Sequence, residues 1–88
     1  MEMLMIQMAR SAKQFGAAIQ RHRTQKGWTQ LELANRVGTG QKTISKIENG
    51  NPATKIETVF SLIAALDLEL EIKSRSKTRS HENWEDLI

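Results

Sequence analysis

Residues 28–50 read WTQLELANRVGTGQKTISKIENG, and the part from Gly40 onward decides the fold. Ile44 and Ile47 lie three positions apart, as do residues on the buried side of a helix. The residues around them are polar or positively charged: Gln41, Lys42, Ser45, Lys46 and Asn49. We therefore predict a short helix with an apolar inner side and an outer side of hydrogen-bond donors and positive charge.

The residues before this helix predict a second helix that is joined to it by a tight turn. Thr29 and Glu32 form a capping-box pattern that begins the second helix, and Gly38 is placed to end it. Its inner residues are Leu33, Ala34 and Val37. Two helices with a small residue at their crossing and a glycine in the turn have the spacing of a helix-turn-helix.

Two further helices are predicted on either side of this pair. Ser11 and Gln14 form a capping-box pattern for a first helix over about residues 11–26. Thr54 and Glu57 form a third such pattern, which predicts a fourth helix after the loop at residues 51–53. Its apolar stripe is predicted at Val59, Phe60, Ile63, Ala64 and Leu66. The fold class is therefore mainly α.

From Asp67 the period of the sequence changes to that of a strand. The apolar residues Leu68, Leu70 and Ile72 alternate with the charged residues Glu69, Glu71 and Lys73. A lone strand is not stable, so we predict that Leu68, Leu70 and Ile72 mediate dimerisation by pairing with the same strand of a second subunit. The alternative is that the fourth helix continues through Leu70.

The domain organisation follows from these elements. Residues 1–10 are an apolar N-terminal extension, which fits either a strand or an extension of the first helix. Residues 11–73 are the helix-turn-helix domain, with the dimerisation strand at about residues 67–73. Residues 74–88 are predicted to be a flexible tail, first basic and then acidic.

Trp84 in this tail, with Leu87 and Ile88, is typical of an interface anchor. The alternatives are a disordered tail or a tryptophan that folds back onto its own domain.

Composition argues against several classes of function. The 88 residues include no cysteine, so a disulfide framework and a thiolate metal site are excluded and a cytoplasmic location is expected. His22 and His81 have no ligand spacing around them. No stretch approaches the roughly 20 apolar residues of a membrane span. No nucleophile, phosphate loop or cofactor motif is present, so we expect no enzyme, no cofactor and no small-molecule ligand.

The charge of the chain is concentrated in its helical part. The whole chain has a formal charge of +3, whereas residues 10–55 contain nine basic and two acidic residues, a net +7. Such a segment favours a polyanion such as double-stranded DNA.

The predicted contacts with DNA are Gln30, Thr39, Gln41, Lys42, Thr43, Ser45, Lys46 and Asn49. Gln41 suits adenine, Lys42 and Lys46 suit guanine or phosphate, and Gln30 and Asn49 suit phosphate. The alternatives are a solvated basic surface or a protein-interaction module.

Residues 28–50 resemble the helix-turn-helix domains of the phage-repressor and Xre group, and the resemblance extends over about residues 11–70. It implies a lambda-repressor-like bundle of four to five helices, with a C-terminal strand that pairs across a homodimer on a palindromic operator. It also implies a structural ion pair between Arg23 and Glu48. Two positions depart from the group: Gly40 replaces a Ser or Thr cap, and Thr39 replaces an apolar residue.

Within that group the chain is similar to the HipB-type antitoxins in its length, its alternating segment after the fourth helix and its acidic tail with Trp84. The resemblance implies a dimer that represses its own operon and binds HipA, a serine/threonine kinase toxin. Trp84, Leu87 and Ile88 would then contact the toxin. A stand-alone phage-like repressor is the alternative within the same group.

Overall fold

A computed structural model describes residues 8–75, and these residues form four helices. The helices are α1 (Ala12–Gln25), α2 (Gln30–Val37), α3 (Gln41–Glu48) and α4 (Ile56–Ala65). The mainly α helix-turn-helix fold predicted from the sequence is confirmed. No helix in the described range combines the length and the apolarity that crossing a bilayer requires.

The N-termini of α1 and α2 form as their capping patterns predict. The Ser11 hydroxyl accepts a hydrogen bond from the Gln14 backbone N–H at 3.0 Å. Thr29 accepts from the Glu32 N–H at 3.0 Å, and the Glu32 carboxylate accepts from the Thr29 N–H at 2.7 Å, which completes the capping box. In α1 the reciprocal bond runs one residue further back, because the Gln14 side chain accepts from the Arg10 N–H at 2.6 Å.

The predicted capping box of the fourth helix is wrong. α4 begins at Ile56, after Lys55, and no side chain caps it. The Thr54 hydroxyl instead donates to the Asn51 carbonyl at 3.2 Å, within the loop that precedes the helix. The hydroxyl is therefore engaged in the loop, and the Glu57 pattern does not determine where α4 begins.

Within residues 8–75 the core consists of seven buried apolar residues that come from all four helices and the end of α4. They are Ile19, Leu33, Ala34, Ile44, Ile47, Leu62 and Leu66. The predicted apolar stripe of α4 is partly wrong, since Phe60 is 53% exposed and Ala64 is also exposed, whereas Leu62 is fully buried. Apolar residues surround most of α4, so their period alone did not identify the side that packs against α2.

Helix α1 crosses α3 at close range because Gly16 has no side chain. A methyl group on Gly16 would overlap with the backbone carbonyl oxygen of Ile47 and would lie 2.9 Å from that of Glu48. Helix α3 is therefore held against α1 through its backbone as well as through its side chains.

Helix α4 ends before the predicted strand, so the alternative in which it continues through Leu70 is wrong. Asp67 has a positive φ of 59°, and its N–H donates to the Ala64 carbonyl at 3.0 Å. The N–H of Leu68 donates to the Ile63 carbonyl at 2.8 Å. These two bonds form a Schellman motif, which terminates a helix.

The segment after this turn, residues 69–75, has no regular secondary structure in the described chain. A strand requires a neighbour for its backbone hydrogen bonds, and residues 8–75 provide none. Pairing of the segment across a dimer therefore stays a prediction. Residues 1–7 and 76–88 lie outside the described residues, as do His81 and the proposed toxin contacts Trp84, Leu87 and Ile88.

Candidate nucleic-acid interface

Helix α3 is fixed from behind by Ile44 and Ile47, which are 0% and 3% exposed and pack in the core with α1 and α2. Four of the predicted DNA contacts on or next to this helix are exposed: Gln41, Lys42, Lys46 and Asn49. Thr43 and Ser45 are half-buried at its sides. The helix therefore has the inner and outer sides that its sequence predicts.

The other two predicted contacts lie next to α3. Gln30 is the first residue of α2 and is half-buried, while Thr39 is half-buried in the turn between the helices. The Thr39 N–H donates to the Ala34 carbonyl at 2.9 Å and helps to end α2. The Thr39 backbone is therefore fixed in the turn that leads into α3.

Arg23 and Glu48 form a buried ion pair that joins α1 to α3. Arg23 Nε lies 2.7 Å from Glu48 Oε2, and Arg23 Nη2 lies 3.0 Å from Glu48 Oε1, which makes the pair bidentate. Arg23 Nη1 also donates to the Trp28 carbonyl at 2.7 Å. The structure thus contains the pair that the family resemblance implies. The hydrogen bond to Glu48 raises the pKa of the Arg23 guanidinium above its ordinary value, so Arg23 remains protonated in the neutral range.

This pair also determines the sign of the charge that α3 presents to solvent. Glu48 is the one acidic residue of α3, and its side chain is 3% exposed and bound to Arg23. The exposed charged side chains of the helix are Lys42 and Lys46. The outer side of α3 therefore has only positive formal charge, which suits a phosphate-rich ligand.

Gln30 is engaged within the protein to a greater extent than the sequence indicates. Its Nε2 donates to Glu48 Oε1 at 3.0 Å, and its Oε1 accepts from Gln41 Nε2 at 3.5 Å. One of the two amide hydrogens of Gln30 is therefore used by Glu48 rather than by a phosphate. The bonds connect the buried ion pair to the first exposed side chain of α3.

Lys13 is a candidate contact that sequence reasoning missed. It is exposed near the start of α1, and a Cβ added to Gly50 would lie 3.0 Å from its α-carbon. Gly50 lies two residues after the end of α3, so Lys13 adds positive charge near the C-terminal end of this helix. No sequence signal links the two positions, because their proximity arises from the crossing of α1 and α3.

Trp28 lies just before α2 and has a structural environment. The ring is half-buried against the core, with Arg36 Cζ 4.0 Å and Lys26 Nζ 5.4 Å from its centroid. These distances are those of cation–π contacts. Within residues 8–75, no group of three or more His, Cys, Asp or Glu side chains is arranged to hold a metal ion.

Comparison with known proteins places this geometry in a family. A family model described as helix-turn-helix matches residues 19–73. Antitoxin HipB of Escherichia coli (strain CFT073) is 37% identical over 71 residues, which cover 81% of this chain and 76% of the antitoxin.

Two solved structures have the same fold as this chain. A structure described as a HipB–O4 20mer complex is 35% identical, with a TM-score of 0.74, and the match covers 81% of this chain and 100% of that chain. A structure of a HipA–HipB–O2–O3 complex is 38% identical, with a TM-score of 0.73 and the same coverage of both chains.

Proposed function

Because the chain belongs to the helix-turn-helix family and is similar to HipB antitoxins over most of its length, we propose that it is a sequence-specific DNA-binding repressor and an antitoxin. The observation that carries the proposal is the outer side of α3. It presents amide and ammonium groups to solvent, while Ile44 and Ile47 fix the helix from behind.

In the proposed complex α3 lies in the major groove of the operator. Gln41 is the first choice for an adenine contact, since an amide can bond both N6 and N7 of this base. Lys42, Lys46 and Ser45 are suited to base edges or phosphates, while Thr39, Thr43 and Asn49 are suited to the backbone. We add Lys13 to the phosphate contacts, because it lies at the other end of α3.

The protein is proposed to act as a homodimer on a palindromic operator, with one α3 in each half-site. The half-sites would then lie about one helical turn apart, or a multiple of it. Repression follows from occupancy of the promoter, so the function requires neither a cofactor nor a catalytic residue. We expect the protein in the cytoplasm, where the operator is.

The antitoxin activity is proposed to be the neutralisation of a HipA-like serine/threonine kinase toxin, with autoregulation of the shared operon. Support comes from the similarity to the HipB chain of the HipA–HipB–O2–O3 complex. The proposed contacts with the toxin are Trp84, Leu87 and Ile88.

A variant that lacks residues 82–88 should bind the operator normally but bind the toxin more weakly in calorimetry. Unchanged toxin affinity would rule out the tail as the contact.

The DNA-binding proposal is tested by titrating the upstream DNA of the gene at several salt concentrations. Each lysine that contacts a phosphate should lower the salt slope by about one when replaced by alanine, whereas a base-reading lysine should alter the preference at one base pair. Lys42→Ala, Lys46→Ala and Lys13→Ala are the variants, and Lys55→Ala is the matched control because Lys55 lies outside the proposed interface. If none of the three variants differs from the control, the proposed interface is wrong.

The two parts of the proposal are separable. If the protein binds the operator but has no affinity for a co-purifying kinase, it is a stand-alone repressor. If it binds the kinase but shows no salt-dependent DNA binding, it is a protein-interaction module.

A further inference from the structure

Helix α1 and the C-terminal end of α3 contact each other through two glycines, one on each side of the contact. A Cβ on Gly16 of α1 would overlap with the carbonyl oxygen of Ile47 and would lie 2.9 Å from that of Glu48. A Cβ on Gly50 would lie 3.0 Å from Lys13 Cα and 3.3 Å from Lys13 Cβ. Lys13 and Gly16 are three residues apart in α1, so they lie on the same side of this helix. The backbone of α1 is therefore in close contact with the end of α3 at both points.

Gly50 also terminates α3, and this role fixes its conformation. Its N–H donates to the Ile47 carbonyl at 3.0 Å, and the Asn51 N–H donates to the Lys46 carbonyl at 3.0 Å. These two bonds form a Schellman motif, in which Gly50 has a positive φ of 89°. The place where Lys13 crosses the end of α3 is therefore determined by the backbones of both elements.

The stability of α1 alone does not explain a lysine at position 13. Lys13 is the second residue of α1, whose first turn contains no acidic residue. The N-terminal end of a helix has partial positive charge, so a cation is unfavourable there. The C-terminal end of a helix has partial negative charge and favours a cation, and the end of α3 lies beside Lys13. Because Lys13 is also exposed, its ammonium group is accessible to a ligand at that end of α3.

This arrangement changes the charge that a phosphate would meet at the end of α3. Without α1, the carbonyl groups of the last turn would repel an anion. Gly16 allows α1 to cover the carbonyl oxygens of Ile47 and Glu48, and Lys13 adds a full positive charge at the same end. The surface that favours phosphate therefore continues from Lys42 and Lys46 of α3 onto the first turn of α1.

We propose that Gly16 and Gly50 are positioning residues for DNA binding, which hold Lys13 at the C-terminal end of α3 so that it binds a backbone phosphate of the operator. The inference rests on the proposed function and extends its phosphate-binding surface onto α1. An ammonium group on a phosphate does not distinguish bases. Lys13 therefore contributes affinity for duplex DNA of any sequence, and its position depends on two residues that do not touch DNA.

The test measures how much Lys13→Ala changes the salt dependence of operator binding in three backgrounds. In the unmodified protein it should lower the salt slope by about one. Gly50→Ala places a methyl group against Lys13, so the effect of Lys13→Ala should be less than half as large in that background. Gly27→Ala is the matched control, because Gly27 has a similar φ of 75° but a Cβ there would meet nothing within 4 Å. In the control background Lys13→Ala should retain its full effect.

Gly16→Ala displaces α1 from the other side of the contact. Its methyl group would overlap with the Ile47 carbonyl oxygen, so the two helices must separate, and the effect of Lys13→Ala should again be less than half as large. All titrations are made at a temperature at which circular dichroism shows the variants to be folded. If Gly16→Ala does not fold, the comparison of Gly50→Ala with Gly27→Ala decides alone.

Two results would overturn the proposal. An equal effect of Lys13→Ala in the Gly50→Ala and Gly27→Ala backgrounds would refute the positioning role. A Lys13→Ala protein that melts at a lower temperature but retains the full salt slope would show that Lys13 only offsets the partial charge of α3. Failure of the proposed function gives a different pattern, in which the unmodified protein does not bind the operator and Lys42→Ala and Lys46→Ala also have no effect.

Discussion

The carboxylate of Glu48 has more partners within the protein than any other acidic side chain in residues 8–75. It accepts hydrogen bonds from Arg23 and from Gln30. Glu48→Ala would leave the Arg23 guanidinium buried without its counter-charge, and we expect the free energy of unfolding to fall by about 3–5 kcal/mol. Urea denaturation followed by circular dichroism measures this change.

The control for this prediction is Glu57→Gln, which removes an exposed carboxylate of α4. A surface change of this kind should alter the free energy of unfolding by no more than about 0.5 kcal/mol. A similar small change for Glu48→Ala would mean that the ion pair does not stabilise the fold.

Gln41 is the residue for which we expect the strongest effect on sequence preference. Its side chain is exposed at the start of α3, and its amide nitrogen lies 3.5 Å from the Gln30 side-chain oxygen. Gln41→Ala should abolish about 1–3 kcal/mol of discrimination at one operator base pair. Titrations against operators with single base-pair changes measure the discrimination. If each base-pair change lowers the affinity of the variant as much as it lowers that of the unmodified protein, Gln41 does not read a base.

At the scale of elements, the two glycines of the turn between α2 and α3 differ in backbone conformation, so Gly40 can accept a side chain and Gly38 cannot do so without strain. Gly40 has a φ of −92° and begins α3 without a side-chain cap, and a Cβ there would meet nothing within 4 Å. Gly40→Ser should therefore stabilise the protein by a few tenths of a kcal/mol, roughly the difference between a serine cap and a glycine cap. Thermal unfolding measures the gain.

Gly38 is the matched comparison because it lies in the same turn with a φ of 84°. A serine there would have to adopt the left-handed conformation, which costs about 1–2 kcal/mol. Gly38→Ser should therefore lower the melting temperature. Equal shifts for the two variants would show that the turn relaxes to accept a side chain at either position.

Elements whose signals are local could be predicted from the sequence. The caps at Ser11 and Thr29 and the termination at Gly38 involve partners within four residues, so a sequence pattern contains all of their participants. The outer side of α3 was also predictable, because Ile44 and Ile47 are its only large apolar residues and leave one choice of inner side.

Features that depend on distant parts of the chain were not predictable in this way. The side of α4 that packs on α2 was ambiguous, since Phe60 and Leu62 are both suited to a core. The proximity of Lys13 to the end of α3 depends on the crossing at Gly16. A glycine within a helical pattern does indicate close packing, but it does not identify what packs there.

For the whole molecule, the small core implies that assembly contributes to stability. The seven buried apolar residues of the described part of the chain are few for a domain that must fold alone, and Leu70 and Ile72 are exposed there. If two copies pair through Leu68, Leu70 and Ile72, as the sequence predicts, the melting temperature should rise with protein concentration, because association stabilises the folded state. Calorimetry over a hundredfold range of concentration measures this. Ile72→Glu should flatten the dependence, because it places a charge among the apolar side chains of the predicted strand, whereas Lys55→Glu should not.

The length of α3 has a consequence for the behaviour of the protein in a warming cell. Eight residues are too few for an independent helix in water, so the recognition helix exists only while Ile44 and Ile47 are packed. Operator binding and tertiary structure should therefore be lost in a single thermal transition. Helix α3 should not unfold before the rest of the domain. Heat would then derepress the operon at the temperature that denatures the repressor. The thermal stability of the domain would therefore determine the temperature at which repression is lost.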